Sequence, residues 1–303
     1  MSAVKGDAAL LLLADSRLPA GGHAHSGGVE EAVRRGAVTG TGDLARFLRG
    51  RLATSGLVTA ALAAAACELA VSEVVLVTDS ETGSGTAARS APGAAAGGGA
   101  DTGAGAMGEP AALWRRLDAE ADARTASPAQ REASRTQGRL LLRTARRMWP
   151  AAALDMLARA VPEGPHHPVA LGAVAASAGC EPLQAALAAA YATVTGPATA
   201  AVRLLGLDPV AVHRLLADLA PALDETAHAA CTSLAGAVPL DEEPYEEPYE
   251  EPGEEPGEEP DERGTGRHAG WRAAWRALPG HGAPALDLLA EGHLTNPAKL
   301  FVS

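Results

Sequence analysis

The apolar half of this chain lacks the side chains that build sheets. Isoleucine is absent from all 303 residues, and Phe, Trp and Tyr together make up only 3%. Much of the 47% hydrophobic content is alanine, in runs such as AALAAAACELA over 60–70. Alanine is the best helix former because it loses no side-chain entropy, whereas β-branched and aromatic residues favour strands. The composition therefore predicts an all-α fold, a single bundle-like domain spanning 1–303 with closely packed helices. No span alternates cleanly enough to demand a strand. The nearest, EVVLVT at 73–78, reads equally well as the end of a helix.

Punctuation divides the chain. A short apolar helix is expected over 7–15, a second from about Ser26 to Arg35 with Gly36 as its stop, and a third with Asp43 as N-cap. Ser127 followed by Pro128 marks the start of a strong helix that Pro150 ends. Two apolar helices follow, 169–178 and 182–195, separated by Gly179. More helix is expected over 197–206 and 208–235, with Asp208–Pro209 a start signal and Pro221 a break. Trp271 and Trp275, four apart, suit a helical turn.

Two stretches do not fit a packed domain. Residues 79–109 are Gly, Ala, Ser and Thr with almost no large apolar side chain, and so cannot offset their ordering entropy by burial. Residues 241–267 contain EEPYEEPYEEPGEEPGEEP, in which proline blocks helix and like charges repel. Both read as disordered inserts. The second also explains the net charge of −12. It holds 13 of the 37 acidic residues within 241–262, leaving 24 acids against 25 Lys and Arg elsewhere. A nearly neutral folded part gives no electrostatic case for nucleic acid or an anionic membrane. The run Ala8–Ala14 is too short to span a bilayer. Cys67, Cys180 and Cys231, odd in number and far apart, suit buried thiols in the cytoplasm.

The chemistry-bearing residues are few. LPAGGHAHSGGVEEAV, 18–33, sets His23, His25 and Ser26 among four glycines. Two imidazoles two residues apart are half a metal site, with no Cys or carboxylate at motif spacing to complete it. The loop lacks the Gly-Lys-Ser/Thr ending of a phosphate loop and the Gly-x-Ser-x-Gly elbow of a hydrolase. His166 and His167, in a Pro-flanked turn, are read as capping or packing near the following helix. Arg131, Arg135, Arg139, Arg143 and Arg147 recur every four residues, a slanting basic stripe read chiefly as a solvated face. With no catalytic constellation, no cofactor and no complete metal site, the residues favour an interaction protein over an enzyme. The rival from another class is a helical metal-dependent hydrolase using His23 and His25.

Five segments in one order resemble the urease accessory protein UreF family. They are LLLADSRLPAGGHAHSGGVEEAV through Leu18, Pro19, Gly21, Gly22, His25, Ser26, Gly28 and Glu30; REASRTQGRLLL through Glu132, Ser134, Gly138 and Arg139; HHPVALGAVAASAG through His166, Pro168, Val169 and Gly172; AAVRLLGLDP through Arg203; and the terminal KLFVS. His25 stands where many members carry Tyr, Gly206–Pro209 replaces a Pro-Leu-Gly-Gln run, and Lys299 replaces a common Arg.

The resemblance implies an all-α, often dimeric, non-enzymatic adaptor. Such proteins bridge UreD (also called UreH) to the GTPase UreG, so that nickel is inserted into apo-urease. It makes His23, His25, Ser26, Glu30, Arg203, Lys299, Leu300 and Phe301 the expected partner-binding residues. The tail, with Leu300 and Phe301 beyond Pro297, is expected to be exposed and unordered until it meets UreD. Arg203, a lone charge among apolar neighbours, is expected to be paired or at an interface.

Overall fold

In the computed structural model of the chain, residues 5–15, 18–19, 24–83, 104–235 and 275–302 are described. Among them there are helices and no strand, as the absence of isoleucine predicts. The helices are α1 (Lys5–Ala14), α2 (Val29–Arg34), α3 (Thr41–Arg51), α4 (Leu57–Gly83), α5 (Ala104–Ala123) and α6 (Pro128–Met148). They continue as α7 (Ala152–Ala160), α8 (His167–Ser177), α9 (Pro182–Leu205), α10 (Pro209–Asp218), α11 (Ala220–Ala235) and α12 (Pro284–Leu294).

The core is built on α4. Its alanine run is buried, and α8, α9 and α11 pack around it. Small residues set the spacing: a Cβ on Gly172 of α8 would lie 2.1 Å from the Ala63 carbonyl oxygen. The two backbones therefore touch, and alanine supplies packed volume without long side chains to order. Leu113, Trp114 and Leu117 of α5 and Leu154 and Leu157 of α7 extend the same core. Two helical stretches, Thr41–Ser72 and Pro182–Leu205, are long and apolar enough to cross a membrane by composition. Their apolar windows are 67% and 56% buried against the rest of the chain, the burial of core helices.

Several start and stop signals act as read. Ser127 Oγ accepts from the Gln130 N–H at 3.1 Å with Pro128 at the first helical position. Asp208 caps Val210 and Ala211, and Gly36 closes α2 at φ 72°. The break expected at Pro221 comes two residues earlier, at Leu219 between α10 and α11, and Pro221 stands in the first turn of α11.

Others are corrected. Asp43 is not the N-cap of α3: the helix begins at Thr41, and the Asp43 carboxylate reaches back to the Thr39 N–H from inside the first turn. EVVLVT lies within α4. The expected insert 79–109 is trimmed from both sides by α4 and α5, and its remainder, 84–103, lies outside the described residues. The acidic stretch 241–267 and Trp271 also lie outside them.

The expected boundary before residue 197 is absent, since α9 runs unbroken from 182 to 205 through Pro197. Proline there has no N–H for the Thr193 carbonyl one turn earlier. Arg51 Nε, from the end of α3, donates to that carbonyl instead at 3.1 Å. The guanidinium thus replaces a missing helical hydrogen bond, which is how proline survives mid-helix. Arg51 is placed by a π turn, Leu52–Gly56, between α3 and α4. Such turns redirect the helix face by one residue.

Candidate functional site

Gly27 and Gly28, at φ 60° and 88°, turn the opening loop inward. Only glycine takes such angles without strain. Gly27 also packs against α9, where a Cβ would lie 2.8 Å from Pro197 Cγ. His25 and Ser26 are consequently buried rather than displayed at a loop tip. Burial pulls the His25 imidazole below its ordinary pKa, so it is neutral at neutral pH. The Ser26 hydroxyl has no hydrogen-bond partner among the described residues. His23 lies outside the described residues.

The loop meets the end of the chain. Glu30, only 5% exposed, accepts the Leu300 N–H at 2.6 Å through one carboxylate oxygen and the Phe301 N–H at 3.2 Å through the other. The Val302 N–H donates to the Ala24 carbonyl at 2.7 Å. His293 of α12 donates from Nε2 to the Phe301 carbonyl at 3.1 Å. A carbonyl only accepts, and this fixes the tautomer. His293 Nδ1 lies 3.6 Å from the Glu30 carboxylate without a hydrogen bond.

The expected free tail is therefore corrected. Phe301 is buried at 8% exposure because Glu30 satisfies the amides that would otherwise hold the segment in water, while Leu300 points outward at 74%. Lys299 is exposed beside it, and Leu288, Leu294 and Val302 are exposed as well. The neighbouring Glu31 is fully buried between Arg34 and Arg35, whose hydrogen bonds hold its carboxyl at about 2.

A second polar cluster joins α5, α6 and α8, and it was missed in the sequence because His166 and His167 lie 32 to 48 residues from their partners. The His166 N–H donates to Asp118 at 2.7 Å, and the His167 N–H donates to Ser134 Oγ at 3.0 Å. These carboxylate and hydroxyl groups satisfy the first donors of α8, which nothing in α8 can accept. The His166 ring bridges Asp122 at 2.7 Å and Ser134 at 3.1 Å. Arg135 pairs with Asp118 at 2.9 Å, with Asp122 at 2.8 Å and with the Gly164 carbonyl at 2.8 Å.

Ser134, His166 and Asp122 form a serine–histidine–carboxylate row in outline. The serine oxygen, however, is spent accepting an amide proton, and both aspartates are engaged by Arg135. The arrangement is a helix cap. Of the expected capping or packing role, His166 shows the packing: it stands at the N-cap position without a side-chain capping bond, and Asp118 and Ser134 satisfy the amides. Close approach completes the latch: a Cβ on Gly138 would lie 2.0 Å from the Pro165 carbonyl oxygen.

The arginine stripe divides accordingly. Arg131 binds the Thr125 and Ala126 carbonyls and Arg135 is locked in the latch, whereas Arg139, which binds the Glu163 carbonyl, is exposed with Arg143 and Arg147 as a solvated face. Arg203 is exposed near the end of α9, so burial does not oblige it to find a partner.

Between the latch and the tail runs a cleft of about 770 Å³, lined among others by His25, Arg51, Ser134, His167, Arg203 and Phe301. Among the described residues no group of three His, Cys, Asp or Glu is placed to hold a metal ion. The three cysteines are free thiols, two of them buried, and Cys67 is pushed up to about 12 by burial.

Comparison with known proteins points one way. The family model described as UreF matches residues 38–220. Proteins named urease accessory protein UreF are similar over most of the chain. That of Mycobacterium sp. (strain JLS) is 46% identical over 221 residues, 73% of this chain and 83% of its own length. That of Mycolicibacterium vanbaalenii is 43% identical over 228 residues, 75% and 87% of the two chains. That of Mycobacterium tuberculosis is 40% identical over 230 residues, again 75% and 87%.

Proposed function

The chain belongs to the UreF family of urease accessory proteins, and from that premise we propose that it is a non-catalytic adaptor. In this reading it bridges UreD (UreH) and the GTPase UreG in the cytoplasm, as a homodimer, so that nickel reaches apo-urease. Nickel is cargo here, and the protein needs no cofactor of its own.

The observation that carries the reading is the junction of opening loop and tail. Buried Glu30 and anchored Phe301 hold a short segment from beneath, and Lys299, Leu300 and Val302 are presented outward with Leu288 and Leu294. A rigid anchor beside exposed apolar side chains keeps the entropy cost of docking low. In this division of labour Glu30, His25, Ser26 and Phe301 shape the surface, and Lys299 and Leu300 touch the partner. Arg203, exposed at the cleft rim, suits a separate contact with UreG.

The test is co-purification with UreD and UreG of the parent chain and of a form lacking Lys299–Ser303. Loss of UreD capture, with the helical content retained, supports the reading. Capture of both partners at parental levels overturns the assignment of this surface.

A further inference from the structure

His293, near the end of α12, sits between two oxygens that both call for a proton from it. Its ring is buried, at 1% exposure. On one side Nε2 lies 3.1 Å from the Phe301 carbonyl oxygen. On the other, Nδ1 lies 3.6 Å from a carboxylate oxygen of Glu30, which is buried too. A carbonyl and a carboxylate only accept, and a neutral imidazole has a single N–H. Whichever nitrogen carries that N–H, the other is left as a bare acceptor beside an acceptor. With the proton on Nε2, at the shorter distance, the orphan is Nδ1. It is closed off from solvent and has no hydrogen-bond partner among the described residues. A buried polar atom in that state is costly.

A second ring proton removes the conflict, because an imidazolium donates from both nitrogens. That proton belongs on His293 rather than on Glu30. The Glu30 oxygens already accept the Leu300 and Phe301 amides, and hydrogen bonds of this kind favour the charged carboxylate. A buried carboxylate in turn needs a counter-charge. The other charged groups on the elements around α12 are engaged elsewhere. α12 packs on α2 and α6. On α2, Arg34 and Arg35 bind Glu31. On α6, Arg131 binds the Thr125 and Ala126 carbonyls. On α12 itself, Asp287 accepts from Gln130, and Glu291 accepts from the Ser127 hydroxyl and the Ala129 N–H. Burial keeps His25 of the opening loop neutral, and Lys299 of the tail is exposed.

We propose that His293 is a positioning residue in its imidazolium form, the charged ring tying Glu30 to the Phe301 carbonyl and so fixing the tail from which Leu300 faces outward. Glu30 holds the amides of Leu300 and Phe301, and His293 holds the carbonyl, so the segment is gripped at both its donors and its acceptor. Loss of the Nδ1 proton leaves a buried anion beside a bare nitrogen, and the grip loosens. The folded chain keeps a proton that the unfolded chain gives up. The clasp is therefore complete at and below the ordinary imidazole value of about 6.5, and is lost as pH rises beyond it through the ring's own titration. The inference concerns the isolated chain and stands whatever protein the tail meets.

The experiment is NMR of the full chain, 15N-labelled in backbone and histidine rings, with the His293 ring assigned from His293→Gln. Long-range spectra report which ring nitrogens carry protons as the pH is raised from about 5 to about 10, across and beyond the ordinary imidazole range. The expected result is that both His293 nitrogens stay protonated at least one pH unit beyond the midpoint of the exposed His213 and His281 rings, a tenfold tighter hold on the proton. In Glu30→Gln that margin disappears. Protection of the Leu300 and Phe301 amides from hydrogen exchange falls at least tenfold as the ring loses its second proton, while the His166 and His167 amides of the latch keep theirs. A ring still doubly protonated at the top of the range, with the tail amides protected throughout, supports the same assignment. The inference is overturned if His293 titrates with the exposed rings or stays neutral, or if the tail amides keep their protection once the ring is neutral. The ring and amide readings are made in the unsubstituted chain, so they decide the matter even if Glu30→Gln fails to fold.

Discussion

The latch between α6 and α8 and the junction between opening loop and tail are both buried and polar, yet they are built to different standards. In the latch every carboxylate, hydroxyl, ring nitrogen and first-turn amide discussed above has a partner within 3.1 Å, and Gly138 and Gly164 let the chains touch. At the junction the Ser26 hydroxyl and His293 Nδ1 have no hydrogen-bond partner among the described residues, and Leu300 and Val302 face outward. The latch lies inside the span that the family model matches, whereas the opening loop and the tail lie outside it. A fully satisfied polar network fixes a fold and has no bonding capacity to spare. Unsatisfied polar atoms and exposed apolar side chains are what such a region has left for something else.

The largest expected effect is in the latch. Gly138→Ala puts a methyl group 2.0 Å from a backbone oxygen that cannot move without displacing the α8 cap. The expected loss is at least about 3 kcal/mol, read by chemical denaturation, or failure to fold. A loss under about 1 kcal/mol would show that the two segments separate easily.

Asp118→Ala comes next. It strips the acceptor from the His166 N–H and one partner from Arg135, for an expected cost of about 3 kcal/mol. The same truncation at exposed Asp155, paired with Arg146, should cost under about 1 kcal/mol. Equal costs would erase the distinction between a built network and a surface pair.

Acid tests the cleft wall between the two regions. His167 falls from about 6.5 unfolded to about 4 folded, so between these values the unfolded chain binds the extra proton. Its contribution is present in full above pH 6.5 and is lost as pH falls toward 4, at up to about 1.4 kcal/mol per unit. His25 shifts in the same direction and adds to the slope. His167→Gln should flatten the stability profile across that window. An unchanged slope would mean that the imidazole is solvated.

How much of this is legible in the sequence depends on distance along the chain. The all-α class follows from residues that are missing. The caps at Ser127 and Asp208 follow from neighbours two or three positions away. What composition and spacing could not reveal was repair at a distance. Pro197 reads as a boundary because the side chain that replaces its amide, Arg51, lies 142 residues before Thr193. The tail reads as free because its acceptor, Glu30, lies 270 residues before Leu300. His25 and Ser26 read as partner contacts because only Pro197 and the sense of turn at Gly27 show that the loop faces inward. The latch is spelled out by residue types, but the pairing of Asp118 and Asp122 with His166 needs α5 and α8 in place.

Removing residues 241–262 should change thermal stability by less than about 0.5 kcal/mol, as expected from a sequence in which proline blocks helix and like charges repel. A loss above about 2 kcal/mol would give the acidic stretch a structural role, and with it a claim on one of the two regions compared here.

The smallest expected effect on stability is also the most direct test, at Leu300. Its backbone N–H is held by Glu30 while its side chain is 74% exposed, so Leu300→Asp leaves the anchor intact and changes only what is presented. The measurement is the affinity of the folded variant for UreD beside its unfolding midpoint. The account predicts a midpoint within about 0.5 kcal/mol of the parent and at least a tenfold loss of affinity. Parental affinity in the folded variant would contradict the claim that the junction of opening loop and tail is where this protein meets its partner.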